Sequence, residues 1–182
     1  MKQVKIHEKT FELYIPYEKL RSVVEAMAEK MNSDLKGKNP LFICILNGSF
    51  MFAAELFKRI DLVETEISFV KLASYQGDKT TGEVKHLIGL NENIAGRTVV
   101  ILEDIVDTGI TIENILEQLK KLNPKEIKIA TLLLKPEALQ KDVQLDYIGL
   151  EIPNNFIVGY GLDYNGHGRN LINIYSVLNE LN

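Results

Sequence analysis

The sequence predicts an α/β fold: a mostly parallel, twisted sheet with helices on both faces. Three observations carry that expectation. Continuous apolar runs recur at residues 41–46 (Leu-Phe-Ile-Cys-Ile-Leu) and 99–102 (Val-Val-Ile-Leu), and residues 127–134 (Ile-Lys-Ile-Ala-Thr-Leu-Leu-Leu) are nearly as apolar. Strands covered on both faces of a parallel sheet have this pattern. Helical stripes alternate with them, one formed by Leu20, Val23, Val24, Met27, Ala28 and Met31, another by Ile112, Ile115, Leu116, Leu119 and Leu122. Strand and helix in alternation make βαβ connections. Finally, 182 residues, 46% apolar and 25% charged, suffice for one well-cored domain and are short for two. The expected organisation is a single domain over residues 1–182. Its core spans about 16–140, and a small hood over the core comes from about 1–15 and 141–182.

In chain order, residues 11–15 alternate apolar and polar, a short strand or arm, and Pro16 suits the first turn of the helix that follows. That helix ends before Gly37. The strand at 41–46 leads through Asn47-Gly48-Ser49 into a helix over about 50–60. Residues 66–73 form a third strand, the polar stretch 74–82 a loop, and residues 84–89 an extended return. After the strand at 99–102 and its helix, Asn123-Pro124 breaks the chain. Residues 126–134 form a further strand ending at Lys135-Pro136. Residues 137–146 are a polar connection, 146–153 a strand closed by proline, and 171–178 a strand or short helix.

Composition narrows the function. A net charge of −4 and a pI near 5.5 argue against a general nucleic-acid binder. No apolar run approaches the roughly twenty residues that span a bilayer, and the N-terminal residues lack the apolar core of a signal peptide. The single cysteine, Cys44, lies inside an apolar run and reads as a small buried hydrophobe. A cytoplasmic protein with no membrane partner is expected.

The chemistry concentrates in Val99-Val-Ile-Leu-Glu-Asp-Ile-Val-Asp-Thr-Gly-Ile-Thr-Ile112. A buried strand delivers Glu103 and Asp104, a short loop carries Asp107, and a helix starts near Gly109. Ligands of open parallel sheets bind beyond the carboxyl ends of the strands. Unpaired amides at a helix start favour phosphate, so Thr108, Gly109, Ile110 and Thr111 can cup one. Two carboxylates cannot hold phosphate directly, but they can hold sugar hydroxyls or the waters of a divalent cation. Together these features describe a site for a sugar phosphate with a metal nearby.

Glu-Asp-Ile-Val-Asp-Thr-Gly at 103–109 resembles the signature of the type I phosphoribosyltransferases, in their hypoxanthine-guanine branch. Other segments share the likeness. Leu46-Asn-Gly-Ser-Phe50 resembles the family's Leu-x-Gly loop, which touches pyrophosphate through backbone amides and is often entered by a cis peptide, here Leu46–Asn47. Lysine is common in relatives where this chain has Asn47. Ser74-Tyr75, with Thr-Gly at 81–82, resembles the ends of a mobile lid that shields the reacting donor from water. Residues 156–164, Phe-Ile-Val-Gly-Tyr-Gly-Leu-Asp-Tyr, resemble the family's purine hood.

The resemblance implies magnesium-dependent transfer of phosphoribose from 5-phosphoribosyl 1-pyrophosphate to a 6-oxopurine. Glu103 and Asp104 would fix the ribose hydroxyls, directly or through metal-bound water. Asp107 would line the ribose and 5′-phosphate site and be the general base for the purine, and residues 108–111 would hold the 5′-phosphate. Asn47, Gly48 and Arg169 would bind pyrophosphate. Lys135 would donate to the exocyclic oxygen, discriminating against adenine because an ammonium offers only donors. Phe156 would stack on the base, Ile157 would bond it through the backbone, and Asp163, in the same purine hood, would ligate a magnesium on the pyrophosphate. The family usually assembles as homodimers or homotetramers. This chain departs from it in two places. Ile110 stands where some relatives have lysine, and Asn165-Gly-His-Gly-Arg169 replaces a bulkier approach to the arginine, which predicts a flexible segment before Arg169.

Rival readings are weaker. No G-x-x-x-x-G-K-[ST] occurs, so a P-loop nucleotidase lacks its phosphate cradle, and Gly159-x-Gly161 and Gly166-x-Gly168 lack the third glycine of a dinucleotide fingerprint. A phosphoacceptor receiver would carry its acid pair near the N-terminus. A donor-sensing regulator that binds nucleic acid conflicts with the acidic pI and the intact hood pattern. A xanthine- or pyrimidine-using relative fits the hood pattern less well.

Overall fold

In the computed structural model, residues 2–74 and 85–178 are described. Among them, ten strands form two sheets. The larger holds β3 (Leu41–Leu46), β4 (Glu66–Ser74), β5 (Lys85–Ile88), β6 (Thr98–Val106), β7 (Glu126–Leu134) and β8 (Tyr147–Glu151), in spatial order β5-β4-β3-β6-β7-β8. All neighbours are parallel except the β4–β5 pair. In this register Leu41 faces Val99 and Glu103 faces Thr131.

Successive residues of a strand point to opposite faces, and the core divides accordingly. Phe42, Cys44, Val100 and Leu102 pack with α1 (Tyr17–Asp34) and α2 (Phe50–Phe57), through Leu20, Val24, Met31, Phe52 and Leu56. On the other face Leu41, Ile43, Val99 and Ile101 meet Ile112, Ile115 and Leu119 of α3 (Ile110–Lys120). Helices therefore cover both faces, as the apolar runs require. No helix of the described residues is long and apolar enough to cross a membrane.

The smaller sheet is antiparallel, β1-β2-β10-β9, from β1 (Gln3–Ile6), β2 (Lys9–Ile15), β9 (Ile157–Val158) and β10 (Ile174–Val177). It has its own apolar centre of Phe11, Val158 and Tyr175. Two details differ from the sequence expectation. The boundary near 140 is too early, because β8 pairs with β7 at the edge of the large sheet. Its alternation resembles that of a hood strand, and only the pairing assigns it to the core. The arm before residue 9 is a strand, β1, paired with β2 from Gln3 opposite Glu12 to Ile6 opposite Lys9.

Candidate active site

Parallel strands bring the ends of β3, β6 and β7 to one edge. The loop 47–49, the acids with the loop after them, and Lys135 therefore meet there although they are far apart in sequence.

Glu103 is 7% exposed near the end of β6, and its Oε2 has no hydrogen-bond partner among the described residues. Burial first, and the neighbouring Asp104 charge second, raise its carboxyl well above the usual range. Asp104 is pushed up to about 6, again mainly by burial, opposed in part by hydrogen bonds and the charge of Arg169. Its Oδ1 accepts the Ile105 N–H at 2.9 Å. Gly48 lies directly against this carboxylate, and a Cβ at Gly48 would overlap Asp104 Oδ2. The Leu46–Asn47 peptide is cis. Behind it the buried Ser49 hydroxyl donates to the Ile45 carbonyl and lies 3.2 Å from Cys44 Sγ. Burial pushes the Cys44 thiol up to about 11, which leaves it inert as a nucleophile.

Past Asp107 the chain turns into α3 through Gly109 at φ 80°, a left-handed conformation that glycine adopts readily. Thr108 and Thr111 are partly exposed and Ile110 is exposed. Thr108 Oγ1 accepts the Ile110 N–H at 3.4 Å. Residues 103–109 with Thr111 and Ile112 line one pocket of about 230 Å³. The amide nest is thus open, and it shares a pocket with both acids. A larger groove of about 590 Å³ lies outside α3, against Leu116 and Val143. Volume does not mark the site here; the smaller pocket has the acid pair and the helix start.

Lys135, 7% exposed at the end of β7, places Nζ 3.2 Å from Asp107 Oδ2. The two side chains converge on one small space. Phe156 is 45% exposed, its ring 5.7 Å from Tyr164 and 6.2 Å from Phe11, with the Lys9 ammonium 5.8 Å from its centroid. Ile157 buries its side chain in the core, so a ligand contact there falls to its main chain. Tyr164 donates its hydroxyl to Glu8.

Arg169 is held firmly. Nη2 lies 2.7 Å from Asp163 Oδ1, and Nη1 donates to the Gly161 carbonyl at 2.7 Å. The preceding glycines form a closed turn instead of a loose segment. Tyr164 and His167 exchange backbone hydrogen bonds, and Gly166 N–H caps Asp163 Oδ2 at 2.7 Å. Gly161, which the sequence reading passed over, proves to be a contact residue, since a Cβ there would overlap the Gly48 carbonyl. No local signal in the sequence marks it, because the contact is with a loop far away in the chain. Ser74 ends β4; Tyr75, the other expected lid residue, lies outside the described residues.

The comparisons agree with this geometry. The family model for the phosphoribosyl transferase domain matches residues 16–165. The hypoxanthine-guanine phosphoribosyltransferase of Streptococcus agalactiae is 45% identical over 146 residues, 80% of this chain and 81% of that protein. Its counterpart in Streptococcus thermophilus is 43% identical over the same shares. Among solved structures, a hypoxanthine phosphoribosyltransferase of Staphylococcus aureus superimposes with a TM-score of 0.84 at 34% identity, covering 92% of this chain and 91% of that one. A hypoxanthine-guanine phosphoribosyltransferase of Bacillus anthracis gives 0.82 at 35%, covering 91% and 96%. With the parallel sheet, the acid pair and the amide nest in place, the chain belongs to the phosphoribosyltransferase family of pentosyl-transferring enzymes, in its hypoxanthine-guanine branch.

Proposed function

We propose that this protein serves purine salvage, moving the 5-phosphoribosyl group of 5-phosphoribosyl 1-pyrophosphate to hypoxanthine or guanine. Pyrophosphate is released, with IMP or GMP as the other product. The observation that carries the reading is the convergence of Asp107 and Lys135, 3.2 Å apart, beside a helix-start nest, the buried Glu103 and the half-buried Asp104.

The nest of residues 108–111 grips the 5′-phosphate, and Glu103 and Asp104 accept from the ribose hydroxyls. The bond from C1′ to the pyrophosphate oxygen breaks, and its electron pair leaves with pyrophosphate. Arg169 and the amides of Asn47 and Gly48 balance that charge. A purine ring nitrogen attacks C1′, and its proton passes to Asp107 acting as general base. Lys135 donates to the 6-oxo group. Phe156 covers the base while the Ile157 main chain bonds its edge, and Ser74 and Tyr75 belong to a lid that excludes water.

Magnesium suits this site. Glu103 has an orphaned buried oxygen, and among the described residues no group of three or more acids, histidines or cysteines forms a full cage. A hydrated ion held by one or two carboxylates and substrate oxygens needs no more than that. Glu103 and Asp104 would hold such an ion beside the ribose, Asp163 would hold one on the pyrophosphate, and the metal would supply positive charge to the leaving group.

A homodimer or homotetramer is supported by large apolar side chains left in solvent, Phe50 at the start of α2 and Phe69 and Ile88 on the outer strands. The work is cytoplasmic, since a donor with several phosphate charges does not cross a bilayer unaided.

An absorbance assay with donor, magnesium and a panel of bases tests the reading. Turnover of hypoxanthine and guanine, with adenine and uracil inert, is expected; turnover of adenine or uracil alone would overturn it. Lys135→Ala should raise the adenine-to-hypoxanthine ratio of kcat/KM at least about tenfold, because the site then loses its donor to a carbonyl.

A further inference from the structure

The nest Thr108-Gly109-Ile110-Thr111 contains no cation, and Glu113 adds a negative charge in the first turn of α3. A carboxylate there repels a phosphate that the helix start attracts. The structure holds a counterweight on a separate segment. Gln140 N–H and Lys141 N–H both donate to the Thr108 carbonyl, at 3.0 and 3.2 Å. In a trans peptide the C=O and the next N–H point opposite ways. Anchoring that carbonyl therefore turns the Gly109 N–H away from residues 140–141, toward the open side of the loop. The segment packs tightly there: Lys141 Cβ lies 3.1 Å, and Val143 Cγ2 3.4 Å, from where a Gly109 Cβ would stand. From this base the Lys141 ammonium reaches Glu113 Oε2 at 2.7 Å.

We propose that Lys141 is a positioning residue for the 5′-phosphate of the donor. Its ammonium cancels the Glu113 charge beside the nest, so the helix start remains attractive to a phosphate that the nest's own side chains do not neutralise. Both partners are about 40% exposed, so the pair adds little to folding. A dianionic phosphate nearby senses the difference between a paired and an unpaired Glu113. The inference rests on the phosphoribosyl-transfer reading, and it adds a residue outside the signature segments.

The test is steady-state kinetics and equilibrium binding on the full chain. For Lys141→Ala, KM for the donor should rise about five- to twentyfold, the order expected for one uncompensated charge near a dianion at a protein surface. KM for hypoxanthine and kcat should stay within about twofold, and Tm within about 2 °C. Adding Glu113→Gln to Lys141→Ala should return the donor KM to within about twofold of the parent. Ribose 5-phosphate, titrated calorimetrically, should weaken by the same factor as the donor, while ribose should not respond. An unchanged donor KM would overturn the proposal. So would a parallel rise of both KM values with a falling Tm, or a double variant that fails to recover. If the parent turned over no base, the proposed function would fail, yet ribose 5-phosphate binding would still decide the role of Lys141.

Discussion

Glu103 and Asp104 occupy a costly place for two carboxylates, the first buried with one oxygen unpartnered and the second half-buried beside it. The physical reading is that the fold holds them there for a ligand. Both carboxyls titrate above their ordinary values in the folded chain, Asp104 at about 6. The folded state therefore binds these protons more tightly than the unfolded one. The favourable contribution of Asp104 is complete below its unfolded value, near 4, and is lost as pH rises through about 6, while that of Glu103 is lost as pH rises through its own raised value. Without ligand and divalent cation, Glu103→Gln should stabilise the protein at pH 8, because it removes a charge that burial disfavours. The gain should shrink toward pH 5, as thermal melts across that range would show. A variant less stable at pH 8 would contradict the account. Asp107 serves a different end, being partly exposed and paired to Lys135. Asp107→Asn should lower kcat about 10²–10⁴-fold, the usual worth of a general base. Donor affinity, measured by equilibrium binding, should change less than about threefold, since the acid pair, the helix-start amides and Arg169 supply most of the donor's contacts. Turnover equal to the parent's would remove Asp107 from the chemistry.

Among elements, the decisive contact is hood against core, made backbone to backbone. Gly161 rests on the Gly48 carbonyl, Gly48 rests on the Asp104 carboxylate, and Arg169 ties Gly161 to Asp163. A shift of the hood thus reaches the pyrophosphate loop and an acid of the site in two steps. Gly161 also sits at φ +102°, where L side chains are strained. Gly161→Ala should cost about 2–4 kcal/mol and raise KM for pyrophosphate in the reverse reaction more than KM for IMP. Gly166 is the control. It shares a positive φ, but a Cβ there meets nothing within 4 Å. Gly166→Ala should cost only about 1 kcal/mol and leave both KM values in place. Equal kinetic effects from the two variants would show that backbone strain, not the hood contact, is responsible.

On the scale of the whole molecule, the smaller sheet has a small apolar centre of its own but also sends Ile15, Ile157 and Ile174 into the core of the larger one. By strand alternation Phe69 points, like Ile67, to the sheet face that carries α2, and Phe50 opens that helix. Apolar groups of this size in solvent favour association. Sedimentation should report a dimer or tetramer, and Phe69→Asp should shift it toward the monomer with the melting temperature of the dilute parent. A parent that sediments as a monomer at high concentration would rule this assembly out.

What the sequence determined by itself was local. The run at 41–46 forms β3 over the same residues because a strand buried on both faces has no polar alternative. The acid doublet, the glycine turn and the stripe from Ile112 set the crevice edge, since a strand end, a left-handed turn and a helix start each impose their residue types within a few positions. Tertiary structure decided whatever depends on distant partners. The alternation of β8 does not tell core from hood; pairing with β7 does. Arg169 looked loosely placed beside two glycines, yet Asp163 and the Gly161 carbonyl hold it. Asp107 and Lys135 stand 28 residues apart, and Glu113 and Lys141 meet across a similar gap. No periodicity encodes such meetings, because they follow from which strand ends share an edge and which loops fold back over it.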